Sequence, residues 1–250
     1  PESAMIEPSS VANPSDVVEK ERGSAGSKTF PLEGKNNIAC GERLRVMQNS
    51  PYLSFLHGMI RDSSQTRSKF VFYTDQLLRL LCEFAFESVP HKPYVVMTPT
   101  GNKFQGVKFE PVCGVSVMRS GEAMETALRS VMLDVKIGKV LVQLDGETKQ
   151  RRLLYSKLPK DIRKHHVMVM NPILASGSSA LAVLKHLTEV GIKQTQVSLI
   201  TMIASPEGVK NVLDAYPKIS LVASMVDERL DSAKLLIPGI GEFSDRYFGT

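Results

Sequence analysis

Little in this chain suits a metal centre, a disulfide scaffold or a membrane span. Cys40, Cys82 and Cys113 are the only cysteines among 250 residues. Odd in number and widely separated, they have no paired spacing for zinc or a disulfide framework and read as reduced thiols. The histidines, His57, His91, His165, His166 and His186, show no ligand spacing beyond the His165–His166 neighbours. That pair follows Arg163-Lys164 and reads as a solvated basic turn; no resident metal is expected. No apolar run approaches the roughly 18 residues of a membrane span, and the first residues lack the basic-then-apolar layout of a secretory signal. The expectation is a protein without membrane contact, in the cytoplasm or the nucleus.

What is present is an ordinary globular composition, 42% hydrophobic and 23% charged, enough for one α/β domain with a full core. Residues 1–41 are rich in Ser, Pro, Gly, Glu and Lys without apolar period, and are expected to form a disordered tail before a domain at 42–250. The net charge of +5 is uneven, since residues 1–40 hold four Lys/Arg against six Asp/Glu and the remainder 27 against 20. Lys149, Arg151, Arg152, Lys157, Lys160, Arg163 and Lys164 cluster, which suits a polyphosphate. Only Tyr155 is interleaved among them as a stacking side chain, so no nucleic-acid partner is expected.

Apolar residues at helical spacing run from Leu44 to Arg61, with a new start near Ser50-Pro51. A second helix, capped at Thr74 or Asp75, carries Leu77, Leu78, Leu81 and Phe84. Strands are expected at Tyr94–Met97, Gly106–Phe109, Val115–Met118, Lys139–Gln143 and Arg152–Tyr155. Three more, Val167–Met170, Ser198–Ile203 and Ile219–Ala223, alternate with helices near Gly121–Met132, Ser179–Val190 and Pro206–Tyr216. That alternation predicts a largely parallel sheet covered by helices, with ligands beyond the strand ends at Arg119, Asn171 and Ala204.

One segment carries chemistry. Val167 to Met170 is an apolar strand; Asn171-Pro172-Ile173-Leu174 leads into Ala175-Ser176-Gly177-Ser178-Ser179; and Leu181, Leu184, Leu187 and Val190 follow at helical spacing. Small residues between a strand and a helix let the backbone turn tightly and aim its N–H groups, with the positive end of the helix, at a phosphate. By itself the pattern also fits a plain turn with an N-cap.

Together with MRSGEAME (Met118–Glu125) and IPGIGEFSDRYFGT (Ile237–Thr250), this segment resembles uracil phosphoribosyltransferase in order and spacing, over roughly Met47 to Thr250, with wording nearest the animal branch. The resemblance implies a type I phosphoribosyltransferase fold: a mainly parallel sheet flanked by helices, a β-hairpin arm and a C-terminal hood. It implies formation of UMP and pyrophosphate from uracil and phosphoribosyl pyrophosphate in pyrimidine salvage, with Mg2+ carried by the latter, in a homo-oligomer (dimer or tetramer). Phosphoribosyl pyrophosphate would be held by Arg119, Leu144, Asn171, Pro172, Ile173, Leu174, Ala175, Ser176, Gly177, Ser178, Ser179 and Glu242, with Arg119 and Glu242 catalytic. Uracil would meet Leu236, Gly241, Glu242 and Phe243, and GTP as activator would meet Arg67 and Gln76.

Several positions depart from the family pattern. Leu144 stands where a second arginine is usual, so pyrophosphate stabilisation would fall to Arg119, magnesium and Lys149, Arg151 or Arg152 of the adjoining hairpin. Asn171 replaces an aspartate that accepts from the ribose hydroxyls, Glu242 replaces an aspartate, and Gln76 an arginine. Arg119 could instead pair with Glu122 or Glu125 as an ordinary helix-terminus residue. Leu144 and Asn171 together leave a second reading open: a non-catalytic homologue that binds a nucleotide or a partner protein.

Overall fold

The computed structural model describes residues 43–146 and 151–250; the expected tail at 1–41, Cys40 and Lys149 lie outside them. The long helical stretch expected from Leu44 is divided. Leu44–Val46 is a strand, β1, and α1 (Pro51–Arg61) begins where Ser50 accepts from the Leu53 amide and Pro51 fills a first-turn position needing no N–H. The next helix, α2 (Arg67–Ala85), starts a full turn and more before the expected cap: Thr66 accepts from the Lys69 amide, and Thr74 is a wholly buried mid-helix residue. Phe70, Leu77, Leu78 and Leu81 are its core face.

Two strands, β2 (His91–Met97) and β3 (Lys103–Phe109), pair antiparallel in a sheet of their own, the hairpin arm. The main sheet is built from β4 (Val112–Met118), β5 (Lys136–Leu144), β6 (Arg151–Lys157), β7 (His166–Met170), β8 (Ile173–Leu174), β9 (Val197–Ala204) and β10 (Ser220–Val226), with β1 on its edge. Its order is β1-β10-β9-β7-β4-β5-β6, parallel throughout except for the β5–β6 hairpin, with β8 also on β9. Period-two alternation divides its buried side chains between two cores. Val167, Val169, Leu199, Leu221 and Ala223 join the core that contains Val183, Leu184, Val209 and Val212 of α4 (Ser178–Glu189) and α5 (Pro206–Ala215). Met168, Met170, Ile200 and Val222 join the core of α1, α2 and α3 (Ala123–Val131). The C-terminal hood is a two-stranded ribbon, β11 (Arg229–Leu230) and β12 (Leu236–Ile237), followed by α6 (Phe243–Phe248).

The expected fold is therefore the one found, with local corrections at Leu44–Val46, at the start of α2 and at the His165–His166 pair. Because β7 begins at His166, its ring lies on the face of Met168 and Met170, 3% exposed, with Nε2 2.8 Å from the Ser198 hydroxyl. His165 is 8% exposed with Nδ1 2.9 Å from the Asp161 carbonyl, so the pair is not a solvated turn. Burial lowers His166 to about 4, and burial together with the Arg61 charge lowers His57 to about 4. Cys82 and Cys113 are buried free thiols, raised by burial to about 12 and about 11. No helix among the described residues is long and apolar enough to cross a membrane.

Candidate functional site

From β4 the chain moves to one side of the sheet, to β5, and from β7 to the other, through β9 to β10. The connections diverge at the C-terminal ends of β4 and β7, where an open parallel sheet leaves a crevice. Arg119 follows β4 and Asn171 follows β7, and both line a cavity of about 390 Å³ there. Ile173 to Ser179, Leu236, Gly241, Glu242 and Phe243 line the same cavity, so three blocks far apart in sequence meet as expected. Pro172 does not line it; its carbonyl is taken up by Met202, Ile203 and the Thr201 hydroxyl. Leu144 is outside the lining and 47% exposed. Arg67 and Gln76 on α2 are also outside it, as is the buried Ala204.

The loop at 175–179 is oriented by its carbonyls. Those of Leu174, Ala175 and Ser176 accept from the Ser205 amide, the Ser205 hydroxyl (2.6 Å) and the Asn211 side chain (3.1 Å), the first two at the N-cap of α5 and the third from its middle. With the carbonyls held on that side, the amides of Ser176 and Gly177 donate to no acceptor among the described residues. The first-turn amides of α4 have no intrahelical partner. Gly177 supplies the left-handed turn at φ 83°, so Ser178 sits inside the helix and the usual small residue is not needed there for conformation. A Cβ on Gly208 would lie 2.2 Å from the Ala175 carbonyl oxygen, so α5 approaches the loop as closely as glycine permits. Free amides converging at a helix N-terminus are a geometry that suits an anion.

The opposite wall is a loop, 236–243, fixed by a buried carboxylate and two part-buried arginines that the sequence reading missed. Asp227, 3% exposed, accepts from the Gly239 amide at 2.9 Å and from both Arg61 nitrogens at 2.6 and 3.1 Å; Arg61 also donates to the Gly239 carbonyl at 2.9 Å. Arg246 donates to the carbonyls of Ile60, Ile240 and Asp62 and lies 4.0 Å over the Phe70 ring. Gly239 and Gly241 take φ of 62° and 74°, and the Ile237–Pro238 peptide is cis. Gly239 and Ile240 are committed to this frame, the Phe243 ring packs into the core beside Phe70 and Tyr247, and Leu236, Gly241, Glu242 and Phe243 line the cavity. The available signal was positional: Asp227 directly follows the apolar run of β10, at the ligand end of the parallel sheet.

Arg119 does not pair with Glu122 or Glu125, which both hold Lys139. Its guanidinium reaches instead to Asp245 at 2.9 Å and the Thr250 hydroxyl at 2.8 Å, joining the β4 end to α6 across the mouth of the cavity. No group of three His, Cys, Asp or Glu that could hold a metal occurs among the described residues. A cavity with free loop amides at a helix N-terminus on one side and the Arg119 guanidinium at its edge can hold an anionic ligand.

The family model described as uracil phosphoribosyltransferase matches residues 46–250. A Dictyostelium discoideum uracil phosphoribosyltransferase is 40% identical over 210 residues, covering 84% of this chain and 97% of that protein. Uracil phosphoribosyltransferase 1 of Schizosaccharomyces pombe is 42% identical over 206 residues, 82% of this chain and 94% of that one. Among solved structures, a protein of Aquifex aeolicus superposes with a TM-score of 0.72 at 23% identity, covering 83% of this chain and 98% of that one, a likeness of fold.

Proposed function

The chain belongs to the uracil phosphoribosyltransferase family, and on that premise we propose that it transfers ribose 5-phosphate from phosphoribosyl pyrophosphate to uracil, giving UMP and pyrophosphate in pyrimidine salvage. The observation that carries this reading is the meeting, in one cavity at the point where the sheet's connections diverge, of the loop 173–179, Arg119 and the loop face Leu236, Gly241, Glu242 and Phe243. The relatives are enzymes by name, which favours a pentosyltransferase over the binding-protein alternative.

The residues divide the work. The amides around Ser176 to Ser179 and the N-terminus of α4 anchor the 5′-phosphate. Asn171 accepts from the ribose hydroxyls through its side-chain carbonyl, without the charge of an aspartate. The loop ending in Phe243 holds uracil edge-on by its backbone, with its ring nitrogen in line with the anomeric carbon. The nitrogen–carbon bond then forms as the bond to the pyrophosphate oxygen breaks, the ring N–H proton is released, and pyrophosphate leaves with the bonding pair. Such a reaction is driven by positioning and by stabilisation of charge on the leaving group. Arg119 contributes that charge once ligand oxygens compete for it with Asp245, and magnesium enters as part of the phosphoribosyl pyrophosphate salt. Glu242 lines the cavity next to the base loop, where a carboxylate can meet the ribose or the magnesium salt.

Two further parts of the reading concern regulation and assembly. GTP, the activator suggested by Arg67 and Gln76, would act on α6, because Arg67 Nε donates to the Tyr247 carbonyl at 3.1 Å. The exposed apolar side chains of the arm, Tyr94, Val95, Met97, Phe104 and Val107, suit association with a second copy. The reading is tested by restoring the family residue at 171: Asn171→Asp is expected to raise the rate of UMP formation above that of the unaltered chain. A fall in rate in Asn171→Asp would show that the site does not handle these ligands in the family manner.

A further inference from the structure

We infer that Arg151 holds the pyrophosphate group in this chain, doing from the hairpin what Leu144 cannot; the inference rests on the phosphoribosyl-transfer reading above. Among the described residues, three cationic side chains belong to the cavity lining, those of Arg119, Arg151 and Lys234. Arg119 is engaged by Asp245 at 2.9 Å, and Lys234 by Glu207 at 3.1 Å. The side chain of Arg151 makes no hydrogen bond or ion pair among the described residues, so it meets a polyanion without first giving up a carboxylate.

The register of the hairpin explains the choice. Leu144 of β5 is directly opposite Arg151 of β6, and Gln143 is opposite Arg152. Directly opposed residues of an antiparallel pair project from the same face, and successive residues from opposite faces. Leu144 and Arg151 therefore share the cavity-side face, and Arg152 lies on the other, where it is bound to Asp145 at 2.9 Å. A long side chain from position 151 reaches the cavity that the short side chain at 144 does not line. The guanidinium brings a planar fork of N–H donors that matches phosphate oxygens two at a time, which leucine lacks altogether. One strand has lost the cation and its cross-strand neighbour presents one.

The test uses the whole chain and titration calorimetry with three separate probes in the presence of magnesium: phosphoribosyl pyrophosphate, pyrophosphate and ribose 5-phosphate. Arg151→Gln is expected to weaken phosphoribosyl pyrophosphate and pyrophosphate by about 10- to 100-fold, the range for losing a charge-assisted contact, and to leave ribose 5-phosphate unchanged. Arg152→Gln is expected to bind all three as the unaltered chain does, and thermal melting should show both variants fully folded, since both side chains are exposed. Leu144→Arg placed in the Arg151→Gln background is expected to recover most of the lost pyrophosphate affinity. Unchanged pyrophosphate binding by Arg151→Gln, an equal loss of ribose 5-phosphate, or no recovery with Leu144→Arg would each overturn the assignment. If the unaltered chain itself bound no phosphoribosyl pyrophosphate, the phosphoribosyl-transfer reading would fall first, an outcome distinct from the other three.

Discussion

Replacing Asp227 separates the base loop from the rest of the site. Asp227 is a buried carboxylate with three bonds to make: one from the Gly239 amide and two from Arg61, whose side chain is itself only 18% exposed. Asp227→Ala removes all three, strands the Gly239 N–H and leaves Arg61 charged with the Gly239 carbonyl and the Met225 sulfur as its remaining contacts. Breaking a buried pair by deleting one partner costs about 3–5 kcal/mol; the exposed fraction of Arg61 regains some hydration, which places the loss near the lower end, about 3 kcal/mol. Asp227→Asn keeps the shape and one acceptor oxygen, so it can serve Gly239 or Arg61 but not both, and is expected to cost about 1–3 kcal/mol. Because the loop's position depends on this clamp, part of the cost reappears whenever uracil binds and the loop must be re-ordered. The predicted pattern is a rise of at least about tenfold in KM for uracil, equivalent to about 1.4 kcal/mol, with KM for phosphoribosyl pyrophosphate within twofold. Urea unfolding gives the stability term and steady-state kinetics with each substrate varied gives the split. A variant that lost stability while both KM values stayed put would refute the idea that Asp227 and Arg61 position the base loop.

Gly208→Ala is the complementary change: the new methyl would lie 2.2 Å from the Ala175 carbonyl and 2.9 Å from that of Leu174, forcing the phosphate loop to move. It is expected to cost about 1–3 kcal/mol of stability and to weaken ribose 5-phosphate binding by calorimetry while leaving uracil binding intact. Arg119→Ala removes the link from β4 to Asp245 and Thr250, an exposed contact worth little to the fold. Its expected result is an unchanged melting temperature with turnover reduced by about 100-fold or more, and retained activity would make Arg119 an ordinary surface arginine. His57 and His166 are held neutral in the fold, each lowered from 6.5 to about 4, so the unfolded chain takes up their protons first as pH falls. Their contribution is complete above about pH 6.5 and is lost as pH falls to about 4, up to about 3 kcal/mol for each; urea midpoints across that window should fall, and fall less in His57→Gln/His166→Gln.

The small-residue loop and the sheet were legible because both depend on local order: a continuous apolar run, small residues and a helical run follow one another from Val167 to Val190. Arg119 and Asn171 could be placed at strand ends for the same reason. The frame of the base loop was not legible, since its bonds join residues 166, 178 and 186 positions apart and leave no periodic trace. The start of α2 was missed because Phe70, Val71, Phe72 and Tyr73 favour strand locally, and packing of Phe70 against Phe243, with ring centroids 6.2 Å apart, decides for helix. His165 and His166 looked solvated beside Arg163 and Lys164, yet strand parity turns His166 inward to Ser198. Leu144 looked like a missing charge when read along the strand; read across the hairpin, it stands opposite Arg151.

The central claim is phosphoribosyl transfer to uracil in this cavity, and the most direct test follows ring-labelled uracil with phosphoribosyl pyrophosphate and magnesium over the purified chain. The account predicts labelled UMP and pyrophosphate in equal amounts, with the signal lost in Arg119→Ala. Binding of both substrates with no UMP formed at any enzyme concentration would contradict it.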